Sequence, residues 1–369
     1  MWKYKLPTEI VFGEGSSDNL GVLLAERGLK KALLLTSPGF VARGEAAAFM
    51  AASGGAVVGV ASDIEPNPTI QNAESCARTA RELGAECLVA IGGGSVMDCA
   101  KAVGVMLHDG CPAEALISGH RIGGMLPLVA LPTTAGTASE VSGAAVLSWR
   151  EKGRKSAFLS PALHPLLAVI DPILTYTCPP ALTAASGVDA LSHALDALGS
   201  VRAQPISDLL AVEAARLVFL HLRAAYTRGD DPAAREGMAR ASLLAGMAFS
   251  QSGVSAAHAC SYPLTVKYGI PHGEACAFTL DAWYALNARA RPAMDDYAVS
   301  LGYRGAEGLA TELNKLKRDL GLKVSLTDAG ISEGDLEALA EGALQAGAMK
   351  NNVVQLDRQG IIDLYLRKR

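Results

Sequence analysis

Four side chains in the second half of the chain, Asp189, His193, His258 and His272, are of the types that bind a divalent metal ion. Asp189 and His193 stand four apart in Gly187-Val-Asp-Ala-Leu-Ser-His193-Ala-Leu-Asp196, so on a helix both project from one face. His258 lies in Ala256-Ala-His-Ala-Cys260, and His272 in Ile270-Pro-His-Gly-Glu274, where Pro271 and Gly273 predict a loop rather than a helix. Any one such histidine is more often a hydrogen-bonded core residue. Taken together, a carboxylate with three imidazoles suits Fe(II) or Zn(II) better than Mg(II) or Ca(II). His108, His120, His164 and His221 show no paired spacing and are expected at the surface or in the core. Cys260 and Cys276, near this set, are expected as small core residues.

A second group of residues could bind phosphate. Gly92-Gly93-Gly94-Ser95, with Asp98 and Lys101 beyond it, follows a buried apolar run and opens a helical pattern. Glycines let a ligand approach the backbone, and amides at a helix start carry partial positive charge, so a pyrophosphate is the physical expectation. It is not the GxGxxG fingerprint; the nearest approach, Gly13-Glu14-Gly15-Ser16-Ser17-Asp18, lacks the third glycine and reads as a turn. Pro132-Thr133-Thr134-Ala135-Gly136-Thr137-Ala138-Ser139-Glu140 closes another apolar run and offers hydroxyls and amides to a carboxamide-bearing ring or a phosphate.

These loops need strands to hold them. Lys31 to Thr36, Ala56 to Val60, Cys87 to Ile91, Leu126 to Leu131 and Leu166 to Ile170 are short apolar runs without alternation, each closed by Gly, Pro or Thr. With helical stretches such as Thr69 to Leu83 between them, they predict parallel βαβ units in a doubly wound, Rossmann-like α/β sheet. Ligands of such sheets sit beyond the carboxyl ends of the strands, where these loops fall. From Pro180 onward the texture becomes Ala- and Leu-rich with helical periodicity, as in Ser207 to Leu222, Ala233 to Gln251 and Gly334 to Ala348. Two domains are expected: residues 1–179 as a dinucleotide-binding α/β domain and 180–369 as an all-helical, metal-binding one.

Composition sets the limits. At 369 residues the chain exceeds the roughly 250 at which a single core stops growing. Half of its residues are hydrophobic, which excludes disorder as the main state. The net charge of −4 and the lack of a polybasic run argue against nucleic acid as a partner. No run of 18 apolar residues occurs, and Met1-Trp2-Lys3-Tyr4-Lys5-Leu6-Pro7 lacks the apolar core of a signal peptide, so no membrane partner and a cytoplasmic location are expected. Seven cysteines without a CxxC pair fit reduced thiols.

The ordered set of motifs resembles the iron-containing, group III alcohol dehydrogenase family along nearly the full length. It runs through Phe12-Gly13-Glu14-Gly15, Pro66-Asn67-Pro68-Thr69, Gly92 to Lys101, Thr133 to Glu140, Asp189-x-x-x-His193 and His258 to Gly273. The resemblance implies a dehydroquinate-synthase-like two-domain fold, a cleft for metal and nicotinamide, and a homodimer built through the N-terminal strands. It makes Asp189, His193, His258 and His272 the metal ligands, with Fe2+ or Zn2+ as the ion. By the same resemblance Gly93, Gly94, Ser95 and Asp98 form the pyrophosphate loop, Asn67 lines the cofactor cleft, Thr133, Thr134 and Thr137 meet the nicotinamide side, and Lys155 contacts the cofactor. The implied reaction is reversible hydride transfer between NAD(H) or NADP(H) and a small aldehyde.

Three positions depart from the family pattern. Tyr262 stands where many members carry a further histidine, and a phenol is a poorer proton shuttle than an imidazole near neutral pH. Ser37 follows the strand ending at Thr36, where NAD-preferring members often hold Asp, so NADPH is permitted without excluding NADH. Ala144 replaces an Asn found near the nicotinamide in some relatives. The segment Ala257 to Gly273 is similar to the branch that reduces phosphonoacetaldehyde to 2-hydroxyethylphosphonate. An anionic aldehyde needs a nearby cation, and Lys267 is the nearest in sequence. Alternatives are a sulfoacetaldehyde reductase, a general short-chain alcohol or lactaldehyde dehydrogenase and, in another class, a lyase of the dehydroquinate synthase type.

Overall fold

The computed structural model describes residues 1–152 and 154–369. Eight strands are present among them: β1 (Glu9–Phe12), β2 (Ala32–Thr36), β3 (Val57–Ala61), β4 (Cys87–Gly92), β5 (Leu128–Pro132), β6 (Ala144–Trp149), β7 (Arg154–Leu159) and β8 (Leu167–Ile170). Six form one sheet in the order β1-β8-β5-β4-β2-β3, with every neighbouring pair parallel. Residues of β2, β4, β5 and β8 are buried throughout, as non-alternating apolar runs predict for strands covered on both faces. One sheet face packs on Leu20, Leu24 and Phe40, the other on Ala73, Val103 and Met106 of the crossover helices.

Two expectations are incomplete here. β1 escapes the apolar-run criterion because only four residues pair, on the sheet edge, and the first, Glu9, is exposed. The antiparallel hairpin of β6 and β7 is also additional; Ala144 to Trp149 alternate between partly and fully buried, a period-two pattern unlike that of the main sheet.

The crossover helices have local reasons to start and stop. Helix Ile70–Glu82 opens with a capping box: Thr69 Oγ1 accepts from the Asn72 amide at 3.1 Å, while Asn72 Oδ1 accepts from the Thr69 amide at 2.9 Å. Helix Gly94–Asp109 stops at Gly110, whose φ of 67° is the left-handed cap favoured by glycine.

The second unit is helical. Its central helix, Pro180–Leu198, opens on Pro180 and is buried from Thr183 to Leu198, which places it inside a bundle rather than on its surface. Around it lie helices Pro205–Thr227, Pro232–Ser252, Ala256–Tyr268 and His272–Ala290. Gly187 permits the closest approach, since a Cβ there would lie 2.2 Å from Leu222 Cδ1. Together the two units make the dehydroquinate-synthase-like fold class.

By its internal contacts the chain divides at Thr175/Tyr176, and the division is not a single cut. Met1–Lys5 and Ala135–Thr137 belong to the helical unit. Tyr4 donates to the Met247 carbonyl at 3.3 Å, and the Lys5 backbone exchanges two hydrogen bonds with the Gln251 side chain. No helix among the described residues is long and apolar enough to cross a membrane.

Candidate active site

In the sheet unit, the glycine run is where β4 becomes a helix. Gly93 caps helix Gly94–Asp109, and a Cβ on it would press on Thr134 at 3.2 Å. The start of that helix therefore lies beside Thr134. Ser95 Oγ accepts from the Asn67 amide at 3.1 Å, and Asn67, at a φ of 58°, accepts from Lys155 Nζ at 2.8 Å. Thr133 donates its amide to the Gly92 carbonyl. Ser37 caps the helix after β2, its side chain accepting from the Phe40 amide.

Asp98 points into the unit. It accepts from Ser139 Oγ at 2.8 Å and from the Val146 amide at 3.0 Å. Lys101, fully buried, donates to Ser139 Oγ, the Ser142 carbonyl and the Ala144 carbonyl, each at 2.8 Å. Burial pushes the Lys101 ammonium down to about 8 against the pull of Asp98 and Glu140. These two residues brace the chain that follows Thr137. Asp98 thus serves the loop's framework in this structure.

In the helical unit, Asp189 and His193 project from one face of the central helix. Asp189 Oδ1 lies 3.9 Å from His258 Nε2; both atoms are buried and lack a hydrogen-bond partner among the described residues. His258 Nδ1 bonds to Asp196 Oδ2 at 2.7 Å, and the same oxygen receives the amides of Ser255 and His258. Burial raises Asp196, but the bonds from His258 and Ser255 outweigh it and hold the carboxyl below the usual range. A carboxylate can only accept, so Nδ1 carries a proton and Nε2 is the ring nitrogen that an ion could take once its own proton is displaced.

His193 is set in the same manner. Its Nδ1 faces the Gly136 carbonyl at 3.2 Å, leaving Nε2 the lone pair, and its ring stacks on His258 at 4.7 Å and on Phe249 at 4.3 Å. Burial, then the neighbouring rings of His258 and His272, hold it well below the usual imidazole range. Gly136 must be glycine, because a Cβ would meet the Ser186 carbonyl at 2.6 Å.

His272 does not sit in a loop. It is the first residue of helix His272–Ala290, with Pro271 as the cap. Proline needs no amide hydrogen at a helix entrance, so the residue read as a loop former is a helix starter. Gly273 fits against the central helix, where a Cβ would lie 2.1 Å from the Ala185 carbonyl and 2.7 Å from Asp189 Cβ. The His-Gly pair therefore brings the imidazole beside the aspartate.

The donor atoms of Asp189, His258, His272 and Cys276 lie within 4.8 Å of one another, and among the described residues that is the group so gathered. Cys276, expected as plain core, belongs to it; His193 adjoins it through its stacked ring. Tyr262 runs parallel to His272, with ring centroids 6.2 Å apart. Lys267 is exposed, and its ammonium pairs with Asp335.

Residues 7–172 match the iron-containing alcohol dehydrogenases, and 183–368 match the C-terminal domain of that family. The chain belongs to the iron-containing alcohol dehydrogenase family. It is 34% identical over 379 residues to the 1,3-propanediol dehydrogenase of Klebsiella pneumoniae, covering 99% of this chain and 98% of the relative. It is 32% identical over 362 residues to alcohol dehydrogenase 4 of Schizosaccharomyces pombe, covering 95% and 85%. Among solved structures it resembles a sulfoacetaldehyde reductase from Bifidobacterium kashiwanohense in complex with NAD+, at a TM-score of 0.94 and 35% identity, covering 100% and 98%.

Iron-containing alcohol dehydrogenases are oxidoreductases of alcohols and aldehydes that use NAD(H) and iron. The residues present fit such an ion. Two buried donor atoms that lack partners among the described residues, on a carboxylate and an imidazole, would carry an uncompensated desolvation cost unless a ligand satisfied them. Sequence reasoning did not single out Asp196, the partner that aligns His258. Its spacing was a usable signal, seven residues beyond Asp189 and hence on nearly the same helix face.

Proposed function

We propose that this dehydrogenase reduces a small anionic aldehyde, with phosphonoacetaldehyde to 2-hydroxyethylphosphonate as the leading reaction and NADH or NADPH as donor. The supporting observation is the buried, unpartnered pair of Asp189 Oδ1 and His258 Nε2 in a member of this family. In this reading Asp189, His193, His258 and His272 hold the ion, Fe2+ or Zn2+. When bound, the ion supplies Lewis acidity toward a carbonyl oxygen, and the dinucleotide supplies the hydride.

The chain's own residues do the positioning. Asp196 and the Gly136 carbonyl engage Nδ1 of His258 and His193, leaving Nε2 of each for the ion. Amides at the start of helix Gly94–Asp109 receive the pyrophosphate, with Gly93, Ser95, Asn67 and Lys155 around it and Thr133, Thr134 and Thr137 toward the ring. Asp98 and Lys101 brace that framework. Tyr262, whose ring lies parallel to that of His272, is raised by burial above the usual phenol range and keeps its proton. Residues 1–179 then act as the dinucleotide domain and 180–369 as the metal domain.

A sulfonate is the second reading, favoured by the likeness to the sulfoacetaldehyde reductase. Either anion must displace Asp335 to reach Lys267, so Lys267→Ala is expected to raise KM for the anionic aldehyde far more than for propanal. Equal effects on both would remove Lys267 from the substrate site. A cytoplasmic homodimer completes the proposal, supported by seven free cysteines and by β1 on the sheet edge. The deciding experiment is steady-state reduction of phosphonoacetaldehyde, sulfoacetaldehyde, lactaldehyde and butanal with each coenzyme, after reconstitution with Fe(II) or Zn(II). A tenfold preference in kcat/KM corresponds to about 1.4 kcal/mol. Preference for the neutral aldehydes would overturn the anionic reading.

A further inference from the structure

The buried donor group includes a sulfur. Cys276 stands four residues after His272 on the same helix, is fully buried, and has its Sγ 3.7 Å from His272 Nε2. It lies within 4.8 Å of the Asp189 and His258 donor atoms, both without hydrogen-bond partners among the described residues. Cys260, on the neighbouring helix, shows what an ordinary core thiol looks like here: its sulfur accepts from Trp283 Nε1 at 3.4 Å, outside the group.

We propose that Cys276 is a sulfur ligand of the ion at this centre, adding a soft donor to the carboxylate and imidazole set. The proposal rests on reading the site as a metal centre. Coordination forms a metal–sulfur bond and breaks the S–H bond, the proton leaves to solvent, and no electron changes hands. A thiolate shifts the site's selectivity toward Zn(II) and away from the preferences of an all-oxygen and nitrogen set. Its position also explains how an apolar-looking Ala-Cys-Ala stretch comes to line a polar group: the four-residue spacing puts Cys276 directly under His272 on one helix face.

The test is a Co(II) titration of the metal-free, full-length protein followed by absorption. Visible d–d bands report cobalt in the site, and a near-ultraviolet sulfur-to-cobalt charge-transfer band reports the thiolate. The wild type is expected to show both. Cys276→Ser, or Cys276→Ala where serine fails to fold, keeps the visible bands and loses the charge-transfer band, while Cys260→Ser keeps both. Visible bands without charge transfer in the wild type, or a charge-transfer band that survives in both Cys276 variants, would overturn the sulfur ligand and leave the metal centre standing. Absence of every cobalt band in the wild type would overturn both.

Discussion

Two buried aspartates in the helical unit have opposite surroundings. Asp281 is saturated: Lys317 Nζ donates to it at 2.7 Å, Lys368 Nζ reaches both oxygens, and Asn314 Nδ2 adds a bond at 2.8 Å. Burial raises its carboxyl, but the two ammonium groups prevail and bring it down to about 2. Asp189, no more exposed, has an oxygen with no partner among the described residues, facing an imidazole nitrogen that lacks one as well. A buried charge that has found all its bonds within the chain stabilises the native geometry, whereas one left short of bonds is held in readiness for something outside the chain. Within one bundle, satisfaction separates framework from site better than burial does.

Replacement of the two should therefore fail in different ways. Asp189→Asn is expected to lose bound metal and to cut turnover by about 10³-fold or more, the scale of Lewis-acid stabilisation, while the metal-free protein melts no lower than wild type. Metal analysis and a thermal melt of the stripped protein check this; a large drop in the Tm of the stripped variant would place Asp189 with the framework. Lys317→Met should do the reverse, costing about 3–5 kcal/mol in urea unfolding by stranding part of the Asp281 charge, with unchanged metal content per folded molecule.

Asp196 falls between the two classes, since its Oδ2 takes three hydrogen bonds within the chain and yet serves the site. Asp196→Asn should weaken metal binding by about 10–100-fold, measured by competition with a chromogenic chelator. The smallest effect is on acid stability. Because Asp281 titrates near 2 when folded and near its ordinary value when unfolded, the unfolded chain takes up that proton first as pH falls. Its contribution, about 2 kcal/mol, is full above pH ~4 and is lost as pH drops toward 2. Urea midpoints across that range should show the loss in wild type and not in Asp281→Asn.

The fold was legible where physics is local. Buried parallel strands announce themselves as unbroken aliphatic runs, and Thr69 with Asn72 marks a helix start three residues apart. β1 was not legible, because a four-residue edge strand has neither a run nor an alternation to detect. At the site, Asp189 with His193 could be read from helical spacing and His258 with His272 from residue type, while the family resemblance supplied the reaction. What spacing could not reveal was pairing across helices. Nothing local in Asp196 says that it will meet His258, nothing in Lys267 that Asp335 will claim it, and nothing in Cys276 that it will face a carboxylate. Pro271 misled for a sharper reason: the same ring that breaks a helix in its interior begins one at its entrance.

Threading of the chain has a consequence for how the molecule is made. The carbonyl that orients His193 belongs to Gly136, more than fifty positions upstream and flanked on both sides by the sheet unit. A polypeptide beginning at Tyr176 would carry every proposed ligand side chain and still leave one imidazole without its anchor. Neither half of the gene, expressed alone, encodes a finished centre, so fragments that dissect this enzyme must be joined or co-expressed before their chemistry is judged.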